Sequence, residues 1–497
     1  MSTDIQEHVA SDSWDPVPDR AAAEALGAAL ARLGYTEESV EKLLGEDGTA
    51  AGPEDIAVFS RRLPGTPLGT ALRLLLLQVP IGEAEGAVAL GGDAVDALLA
   101  LGLVVAGNGT LVSRSRIMPV ENLLLAFDGF STADDPHGYV STFSPTTAWL
   151  TALTPRRRVA RAVDIGTGNG AHALLAARHS DRVIATDLNA RALAYTEINA
   201  AMNGLDNIES RLGSLFEPVA GERFDLITCN APFVVSPESR WQYRDSGMHS
   251  DELSELLVRQ AAAALAPDGY ASLLVSWVAE SEEEPDDRVH AWIEGSGCDA
   301  WVLGLSSADP LDHAFSWNNH LVDDQQALGA ALDEWTAFFR SIGVGWITEG
   351  AVLLHRRDGS DHAVRVDPID EDDLGDAGDQ IERAFAAHAY LATIRGDEAM
   401  LDEQFKLVEH VRLDRSYDTE GGEAATVVLH EGTWPELEIN SETADVLASL
   451  DGNVTLGRAI ERTIKRLELT RRSASELRRE ALDATRELLE LGFIDLS

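Results

Sequence analysis

Four residues near the middle of the chain, Asn230-Ala231-Pro232-Phe233, carry groups that could act on a planar nitrogen. They follow Phe224–Cys229, an apolar run that predicts a buried strand. The carboxyl end of a parallel strand is where an open α/β sheet places its chemistry. The Asn230 side chain can accept hydrogen bonds from an NH2 group, and the Phe233 ring can stack on a flat one. The cluster indicates transfer of a group from a nucleotide-like cofactor onto a planar nitrogen.

A glycine-rich turn upstream of this cluster is the candidate cofactor site. The stretch Asp164-Ile165-Gly166-Thr167-Gly168-Asn169-Gly170 ends a predicted strand and opens a predicted helix, where glycines let a ligand approach the backbone. The next predicted strand ends in Asp187, an acid that can bind both ribose hydroxyls. A dinucleotide enzyme needs a different glycine spacing and a helix start open to pyrophosphate, which the acid at the start of this stretch would oppose. A carboxylate suits ammonium and sulfonium charge, which favours S-adenosylmethionine over NAD.

The glycine-rich turn is one of five sequence motifs between Thr142 and Trp277 that form a recognisable pattern. They are Asp164-Ile165-Gly166-Thr167-Gly168-Asn169-Gly170, Ala185-Thr186-Asp187, Ala192-Leu193 with Asn199 and Asn203, Gly213-Ser214-Leu215-Phe216-Glu217, and Asn230-Ala231-Pro232-Phe233-Val234-Val235-Ser236-Pro237. Together they resemble a class I S-adenosylmethionine-dependent methyltransferase of the methyltransferase small domain kind. More closely, they are similar to HemK/PrmC-type enzymes in their eukaryotic and archaeal form. One departure is Ala231, where that family usually has proline; alanine supplies the same backbone carbonyl with a less restricted φ.

The resemblance implies a role for each matching residue. Asp164 and the glycines would hold the methionine part of the cofactor, Asp187 the ribose, and Ser214-Leu215 the adenine edge. A cofactor-covering segment is expected at Ser141–Thr147. The residues expected to bind S-adenosylmethionine are Asp164, Gly166, Thr167, Gly168, Gly170, Asp187, Leu188, Ser214, Leu215, Asn230 and Thr146. The residues expected to be catalytic are Asn230, Ala231, Pro232 and Phe233.

Methyl transfer to an amide or aryl-amine nitrogen is difficult because the lone pair is delocalised. The side-chain oxygen of Asn230 and the backbone carbonyl of Ala231 could hold the NH2 group and rehybridise it, a positional and electrostatic gain. Phe233 would stack on the planar group. Downstream residues that mix aromatic rings with arginine could form a substrate lid or an ordinary surface loop; they are Trp241, Tyr243 and Arg244. The two cysteines form no zinc cluster, and no metal site is predicted.

Net charge and hydropathy limit the partners. The chain has 84 acidic and 39 basic residues, a formal net charge of −45. Such a protein repels nucleic acid unless one face is locally basic, and Arg458–Arg486 is such a stretch, with nine bases against five acids. The polar, acidic N-terminus is not a signal peptide, and the most apolar stretch, Leu72–Ile81, is too short to span a bilayer. A cytoplasmic protein without a membrane partner is expected.

The 497 residues are predicted to form three domains. Residues 1–140 show helical spacing followed by a hairpin, which suggests a winged-helix-like unit. Residues 141–358 alternate strands with helices, which predicts a doubly wound, Rossmann-like α/β sheet with helices on both faces. Residues 359–497 are predicted to be α+β and to end in a second winged-helix-like unit. Fold alone does not assign a function to these flanking units.

Three functions are compatible with these patterns. The favoured one is a protein N-methyltransferase acting on glutamine, because of the resemblance and because an acidic surface suits a basic protein partner. The alternative is an adenine N6 or guanine N2 methyltransferase of rRNA, tRNA or DNA, since sibling families use nearly the same tetrapeptide. The second alternative is a non-catalytic scaffold that binds S-adenosylmethionine, which the intact Asp164, Asp187 and Asn230 argue against. The oligomeric state is left open.

Overall fold

The computed structural model describes residues 14–45, 48–49, 52–130, 138–237, 250–283, 285–359, 362–370, 373–394, 396–417, 423–433 and 435–496. At its centre lies an eight-stranded, mainly parallel sheet with a helical unit before it and a mixed unit after it. The α/β fold class expected from the sequence is confirmed. No helix within those ranges is both long and apolar enough to cross a membrane.

The region before the central sheet is mostly helical, as its apolar spacing predicts. Helix α1 (Arg20–Leu33) begins after Asp19, whose side chain accepts a hydrogen bond from the Ala22 N–H, and ends at Gly34 in the left-handed region. The other elements are α2 (Glu37–Leu44), α3 (Ile56–Arg62), α4 (Pro67–Leu75), β1 (Ile81–Gly82), α5 (Glu83–Leu90), α6 (Gly92–Ala100), β2 (Val104–Gly107), β3 (Thr110–Ser113), β4 (Ser115–Val120) and β5 (Leu123–Asp128). Strands β2 and β3 form the predicted hairpin, and β4 pairs with β5 in a separate one. The winged-helix-like character of this region stays a prediction.

The central region alternates strands and helices along the chain. Its elements are α7 (Pro145–Ala152), β6 (Val159–Ile165), α8 (Ala171–Ala177), β7 (Ser180–Asp187), α9 (Ala190–Met202), β8 (Ile208–Leu212), β9 (Phe224–Cys229), α10 (Glu252–Ala264), β10 (Leu265–Ala279), α11 (Asp287–Ile293), β11 (Cys298–Ala308), α12 (Pro310–Asn318), α13 (Gln325–Ser341), β12 (Trp346–Arg356) and β13 (Val364–Pro368). The alternation of strands and helices expected for this part of the chain is present.

The strands are ordered β13-β11-β12-β10-β9-β6-β7-β8. All run parallel except β12, which lies between β10 and β11 and pairs antiparallel with both. The order reverses between β6 and β9, and this reversal opens a crevice at the carboxyl ends of the strands. The glycine-rich turn follows β6 and the Asn230 tetrapeptide follows β9, so the two sequence motifs meet at this crevice.

Hydrophobic packing on both faces of the sheet holds these strand ends in place. Val163 and Ile165 of β6 belong to one buried cluster with Leu257 of α10. Ala162 points to the opposite face and joins a second cluster with Ala173 of α8. Alternate residues of β6 are therefore buried on opposite sides, as in a strand covered by helices on both faces.

The region after the sheet contains two further small sheets and five helices among the described residues. Its elements are α14 (Gly378–Leu391), α15 (Asp397–Leu401), β14 (Gln404–Leu407), β15 (Val411–Tyr417), β16 (Glu423–Leu429), β17 (Glu436–Asn440), α16 (Ser441–Leu447), β18 (Asp451–Thr455), α17 (Leu456–Arg466), α18 (Arg471–Glu490) and β19 (Ile494–Asp495). Helix α16 begins after Asn440, whose Oδ1 accepts a hydrogen bond of 2.7 Å from the Thr443 N–H. The winged-helix-like ending and the boundaries 1–140, 141–358 and 359–497 stay predictions.

The hairpin of β4 and β5 is anchored on α9 through buried polar contacts. The Asp128 carboxylate accepts hydrogen bonds from the Tyr195 hydroxyl at 2.8 Å, the Arg191 Nε at 3.1 Å and the Val140 N–H at 2.8 Å. The Asn199 amide exchanges two hydrogen bonds with the backbone of Ala126. Asn199 Nδ2 also donates to the Asn169 carbonyl in the glycine-rich turn, at 2.8 Å. The region before the sheet is thus tied directly to the candidate cofactor loop.

Replacing Asp128 by asparagine is expected to destabilise the protein by up to about 3–5 kcal/mol, because the buried Arg191 guanidinium loses its buried counter-charge and keeps the exposed Asp15 as its pair. The side chain of Asp128 is fully buried and that of Arg191 is 9% exposed. Urea denaturation followed by circular dichroism measures the change. Asp181→Asn breaks the exposed pair with Arg158 and should cost at most about 1 kcal/mol. Equal losses of stability in the two variants would contradict the anchoring role of Asp128.

Candidate active site

The glycine-rich turn has a backbone that only glycine adopts easily. Gly166, Gly168 and Gly170 have φ angles of 67°, 57° and 88°, all in the left-handed region. A Cβ added at Gly170 would lie 2.9 Å from Thr196 Cγ2, so the helix side of the turn is closely packed. A Cβ added at Gly168 would meet nothing within 4 Å. The turn is therefore open at Gly168, where a ligand can approach the backbone.

A buried carboxylate lies beneath this turn. Asp164, in β6, is 1% exposed, and its two oxygens accept hydrogen bonds from the hydroxyls of Thr167 at 2.6 Å and Thr228 at 2.8 Å. Burial raises the pKa of Asp164 to about 6, although these hydrogen bonds favour the charged form. Burying this carboxylate disfavours its ionised form, but when ionised it provides a negative charge beneath the open turn. Thr228 was not predicted as a site residue; its signal is a hydroxyl inside the otherwise apolar run of β9.

A second carboxylate lies at the end of the neighbouring strand. Asp187 ends β7, and its oxygens accept hydrogen bonds from the backbone N–H of Gly168 at 2.9 Å and of Asn189 at 2.8 Å. Burial raises the pKa of Asp187, against the effect of these hydrogen bonds. The next residue, Leu188, leaves 60% of its surface exposed. Asp187 and Leu188 therefore present a carboxylate and an apolar surface side by side.

The segment after β8 reaches the same place. Strand β8 pairs in parallel with β7, and the Gly213 N–H donates to the Asp187 carbonyl at 3.0 Å. Ser214 and Leu215 follow directly, and Leu215 has a φ of 47°, uncommon for a non-glycine residue. The Leu215 carbonyl accepts a hydrogen bond from the Thr186 hydroxyl at 3.3 Å. The structure thus places the predicted adenine-edge residues beside the strand that ends in Asp187.

Asn230 stands next to the glycine-rich turn because β9 pairs in parallel with β6. The register places Cys229 opposite Ile165, and a Cβ at Gly166 would lie 3.5 Å from the Ala231 Cα. Asn230 Nδ2 donates to Thr146 Oγ1 at 3.4 Å. Thr146 lies in the first turn of α7, in the expected covering segment. The bond to Thr146 leaves the Asn230 side-chain oxygen without a hydrogen bond to any described residue.

The rest of the tetrapeptide loop is covered by the protein. Ala231 and Phe233 are 2% and 8% exposed, so little of the Phe233 ring is open to a partner. Pro232 lies between them and is half-buried. His313 Nε2, on α12, lies 3.2 Å from the Val235 carbonyl and so contacts this loop. Burial lowers the pKa of His313 to about 4, which keeps its ring neutral at physiological pH. His313 was not predicted from the sequence, because no local motif marks it.

Three of the predicted site residues belong to a part of the chain that the structure does not describe. Trp241, Tyr243 and Arg244 lie outside the described residues, and their assignment to a substrate lid stays a prediction. The remaining predicted residues converge on the crevice from four strand ends and from α7. The arrangement combines two carboxylates, an open glycine turn and an amide oxygen that accepts no hydrogen bond from a described residue.

Two family models match parts of the chain. The methyltransferase small domain matches residues 143–283, which include the turn after β6 and the tetrapeptide after β9. A domain of unknown function, DUF7059, matches residues 32–114. The first match agrees with the motifs quoted above, and the second covers most of the helical region before the central sheet.

Curated relatives share the same central region. A release factor glutamine methyltransferase from Xylella fastidiosa is 35% identical over 129 residues, which cover 24% of this chain and 47% of the relative. A ribosomal protein uL3 glutamine methyltransferase from Bradyrhizobium diazoefficiens is 29% identical over 168 residues, 30% of this chain and 52% of the relative. The chain thus spans about half the length of these relatives. The family model and these relatives confirm the resemblance to HemK/PrmC-type methyltransferases.

Solved structures give only a distant likeness. An rRNA methylase from Streptococcus thermophilus has 16% sequence identity and a TM-score of 0.25, over 44% of this chain and 99% of that one. A 16S rRNA N2 G1207 methyltransferase from T. thermophilus, solved with AdoMet and guanosine, has 20% identity and a TM-score of 0.25, over 43% and 62% of the chains. Because the sequence identities and TM-scores are this low, these structures add nothing to the fold class that the strand order already establishes.

Proposed function

We propose that this protein transfers a methyl group from S-adenosylmethionine to the side-chain amide nitrogen of a glutamine in another protein. The observation that carries the proposal is the register of β6 and β9, which sets Asn230 beside the glycine-rich turn with its side-chain oxygen unbonded to any described residue. The similarity to glutamine methyltransferases supports the choice of acceptor.

The residues around the crevice fit this cofactor. Asp187 has lone pairs for two ribose hydroxyls in addition to its two backbone contacts. The exposed Leu188, together with Ser214 and Leu215, offers a surface for the flat adenine ring. Asp164 is buried, so its negative charge, more than a direct contact, would favour a cationic group above the turn. When bound, S-adenosylmethionine supplies an electrophilic methyl group on a positively charged sulfur.

The acceptor side needs orientation more than a strong base. The Asn230 side-chain oxygen and the Ala231 carbonyl would accept the two N–H groups of a primary amide and fix the direction of the nitrogen lone pair. The same two oxygens would stabilise positive charge that grows on nitrogen during transfer. Thr146 orients this arrangement, because its hydroxyl accepts the Asn230 N–H and leaves the amide oxygen for the substrate.

The proposed partner is a protein of basic character. A formal net charge of −45 favours encounter with positively charged proteins over nucleic acids as methyl acceptors. The relatives named above are methyltransferases of a release factor and of ribosomal protein uL3. Because the substrates in these names belong to the translation machinery, we propose that this protein also acts in the cytoplasm.

Labelling with tritiated S-adenosylmethionine in cell extract tests the proposal. The wild-type protein is expected to label material that protease removes and RNase and DNase leave intact. Hydrolysis of the labelled material should release N5-methylglutamine-derived products. Asp187→Ala is the matched negative control; loss of the ribose-binding carboxylate should reduce labelling about 100-fold or more. Label that survives protease but disappears with RNase would overturn the glutamine assignment, and absence of cofactor binding by calorimetry would overturn the methyltransferase itself.

A further inference from the structure

The helices α17 and α18 carry an exposed group of cations, here called the basic stripe. It consists of Arg458, Arg462 and Lys465 on α17 and Arg471 and Arg478 on α18. All but Arg478 are exposed, and Arg478 is half-buried. Within the described part of the chain, none of these five side chains takes part in a hydrogen bond or an ion pair. Such unpaired cations are notable in a chain with more than twice as many acids as bases.

Nearby bases of the same helices are neutralised, which sets the stripe apart. Arg466 pairs with Asp445 at 2.6 Å, and Arg472 pairs with Glu476 at 2.9 Å. Glu461 and Glu468 are exposed acids in the same segment, and neither pairs with Arg466 or Arg472. Along α17, α18 and the turn between them, the five stripe cations therefore outnumber these two acids.

The spacing on α17 places its cations on one face. Leu456, Ala459, Ile460 and Thr463 are buried and form the opposite face. Positions 458, 462 and 465 are four and three residues apart, which is the spacing of neighbours along one side of a helix. At 1.5 Å per residue they extend over about 10 Å. The three α17 cations of the stripe therefore present aligned charges to solvent.

We propose that the basic stripe binds the phosphate backbone of a nucleic acid without reading its base sequence. Arginine binds phosphate oxygens through a planar, two-pronged contact, and four of the five stripe residues are arginine. Protein interfaces need a buried aromatic or apolar anchor, whereas Leu467 is the one large apolar side chain exposed in the described residues 458–478. The Debye length of about 8–10 Å at physiological salt screens the more distant acids from this face.

This binding is distinct from methyl transfer. The stripe lies on the last two helices, and the proposed catalytic residues lie at the carboxyl ends of the central strands. The nucleic acid would be a docking partner and not the methyl acceptor. Stripe binding and catalysis can therefore be measured separately.

Fluorescence anisotropy with the full chain tests the stripe. The probes are a fluorescein-labelled 20-nucleotide RNA of mixed sequence and a duplex DNA of equal length, each titrated between 50 and 200 mM salt. The stripe variant combines Arg458→Gln, Arg462→Gln, Lys465→Gln and Arg471→Gln. The control variant removes the same charge from exposed, unpaired bases elsewhere in the described chain, with Arg32→Gln, Lys42→Gln, Arg223→Gln and Arg340→Gln.

Wild-type protein is expected to bind at least one probe at 50 mM salt, with affinity that falls steeply as salt rises. The stripe variant should bind at least about tenfold more weakly, with a salt slope smaller by roughly 0.7–0.9 for each phosphate that the stripe no longer neutralises. The control variant should stay within about twofold of wild type. Circular dichroism melting confirms that both variants fold. No binding by wild type, equal weakening in both variants, or equally tight binding of the stripe to anionic lipid vesicles would each overturn the proposal.

Discussion

Replacing Asn230 by alanine is expected to lower kcat for methyl transfer about 100- to 1000-fold, the usual cost of removing one preorganised polar group from a reacting centre. The side-chain oxygen of Asn230 has no other hydrogen bond to a described residue, so its proposed role is to hold the acceptor nitrogen. The Kd for S-adenosylmethionine should change far less than kcat, by at most about tenfold, because Asn230 is one of several residues expected to contact the cofactor and the carboxylates of Asp164 and Asp187 are untouched. Steady-state kinetics and titration calorimetry measure the two quantities.

The exposed Asn319 provides a matched control for this substitution. Asn319→Ala removes the same amide from the surface of the same region and should leave kcat unchanged. Asn230→Asp adds a second comparison, because a carboxylate keeps the acceptor oxygen but cannot donate to Thr146. It should retain more activity than Asn230→Ala if accepting hydrogen bonds is the essential function. An alanine variant with wild-type kcat would rule out Asn230 as a catalytic residue.

Replacing Asp164 by asparagine is expected to stabilise the cofactor-free protein while weakening cofactor binding. Burial raises the pKa of Asp164 from 3.8 to about 6, so the folded protein disfavours the ionised form. This pKa change corresponds to a destabilisation of up to about 3 kcal/mol at neutral pH. The contacts from Thr167 and Thr228 suit a carboxylate better than an amide, so the gain should fall below that limit.

The pH dependence gives this prediction a definite sign. Because the folded-state pKa is the higher one, the contribution of Asp164 to wild-type stability should fall as pH rises from about 4 to about 6 and should be level above it. The difference between Asp164→Asn and wild type should be largest above pH 6 and should vanish near pH 4. Thermal unfolding across this range, without cofactor, is the measurement. A variant that is less stable than wild type at neutral pH would contradict the burial argument.

Cofactor binding should change in the opposite direction. Ionised Asp164 favours a cationic ligand, so wild-type affinity for S-adenosylmethionine should weaken as pH falls through about 6. Asp164→Asn should bind about 10- to 100-fold more weakly at neutral pH and should show little pH dependence over this range. Asp225→Asn, at the opposite end of β9, is the control and should leave the affinity unchanged. Among the described residues, the Asp225 carboxylate accepts hydrogen bonds from the backbone of residues 160 and 161, away from the crevice.

The sequence alone predicted the elements that carry the site. Strands β6, β7 and β9 each contain a short, mostly apolar run, as burial against helices on both faces requires, whereas the edge strand β8 is mostly polar. The glycines after β6 predicted a turn whose backbone a ligand can approach, and in the structure all three have a positive φ. The identities of Asp164, Asp187 and Asn230 followed from their positions at strand ends, because parallel strands in an open α/β sheet end at one edge. These inferences depend on residues close together in the chain.

The tertiary structure decided which distant residues meet. The antiparallel direction of β12, the hydroxyl of Thr228 on Asp164, the contact of Asp128 with α9 and the contact of His313 with the tetrapeptide loop carry no local signature. Asp128 and Tyr195 are 67 positions apart, and His313 and Val235 are 78 apart. Periodicity records which face of a strand or helix is buried, but not the element against which that face packs. Those pairings depend on how the whole chain satisfies its buried polar groups at once, which no short window of sequence contains.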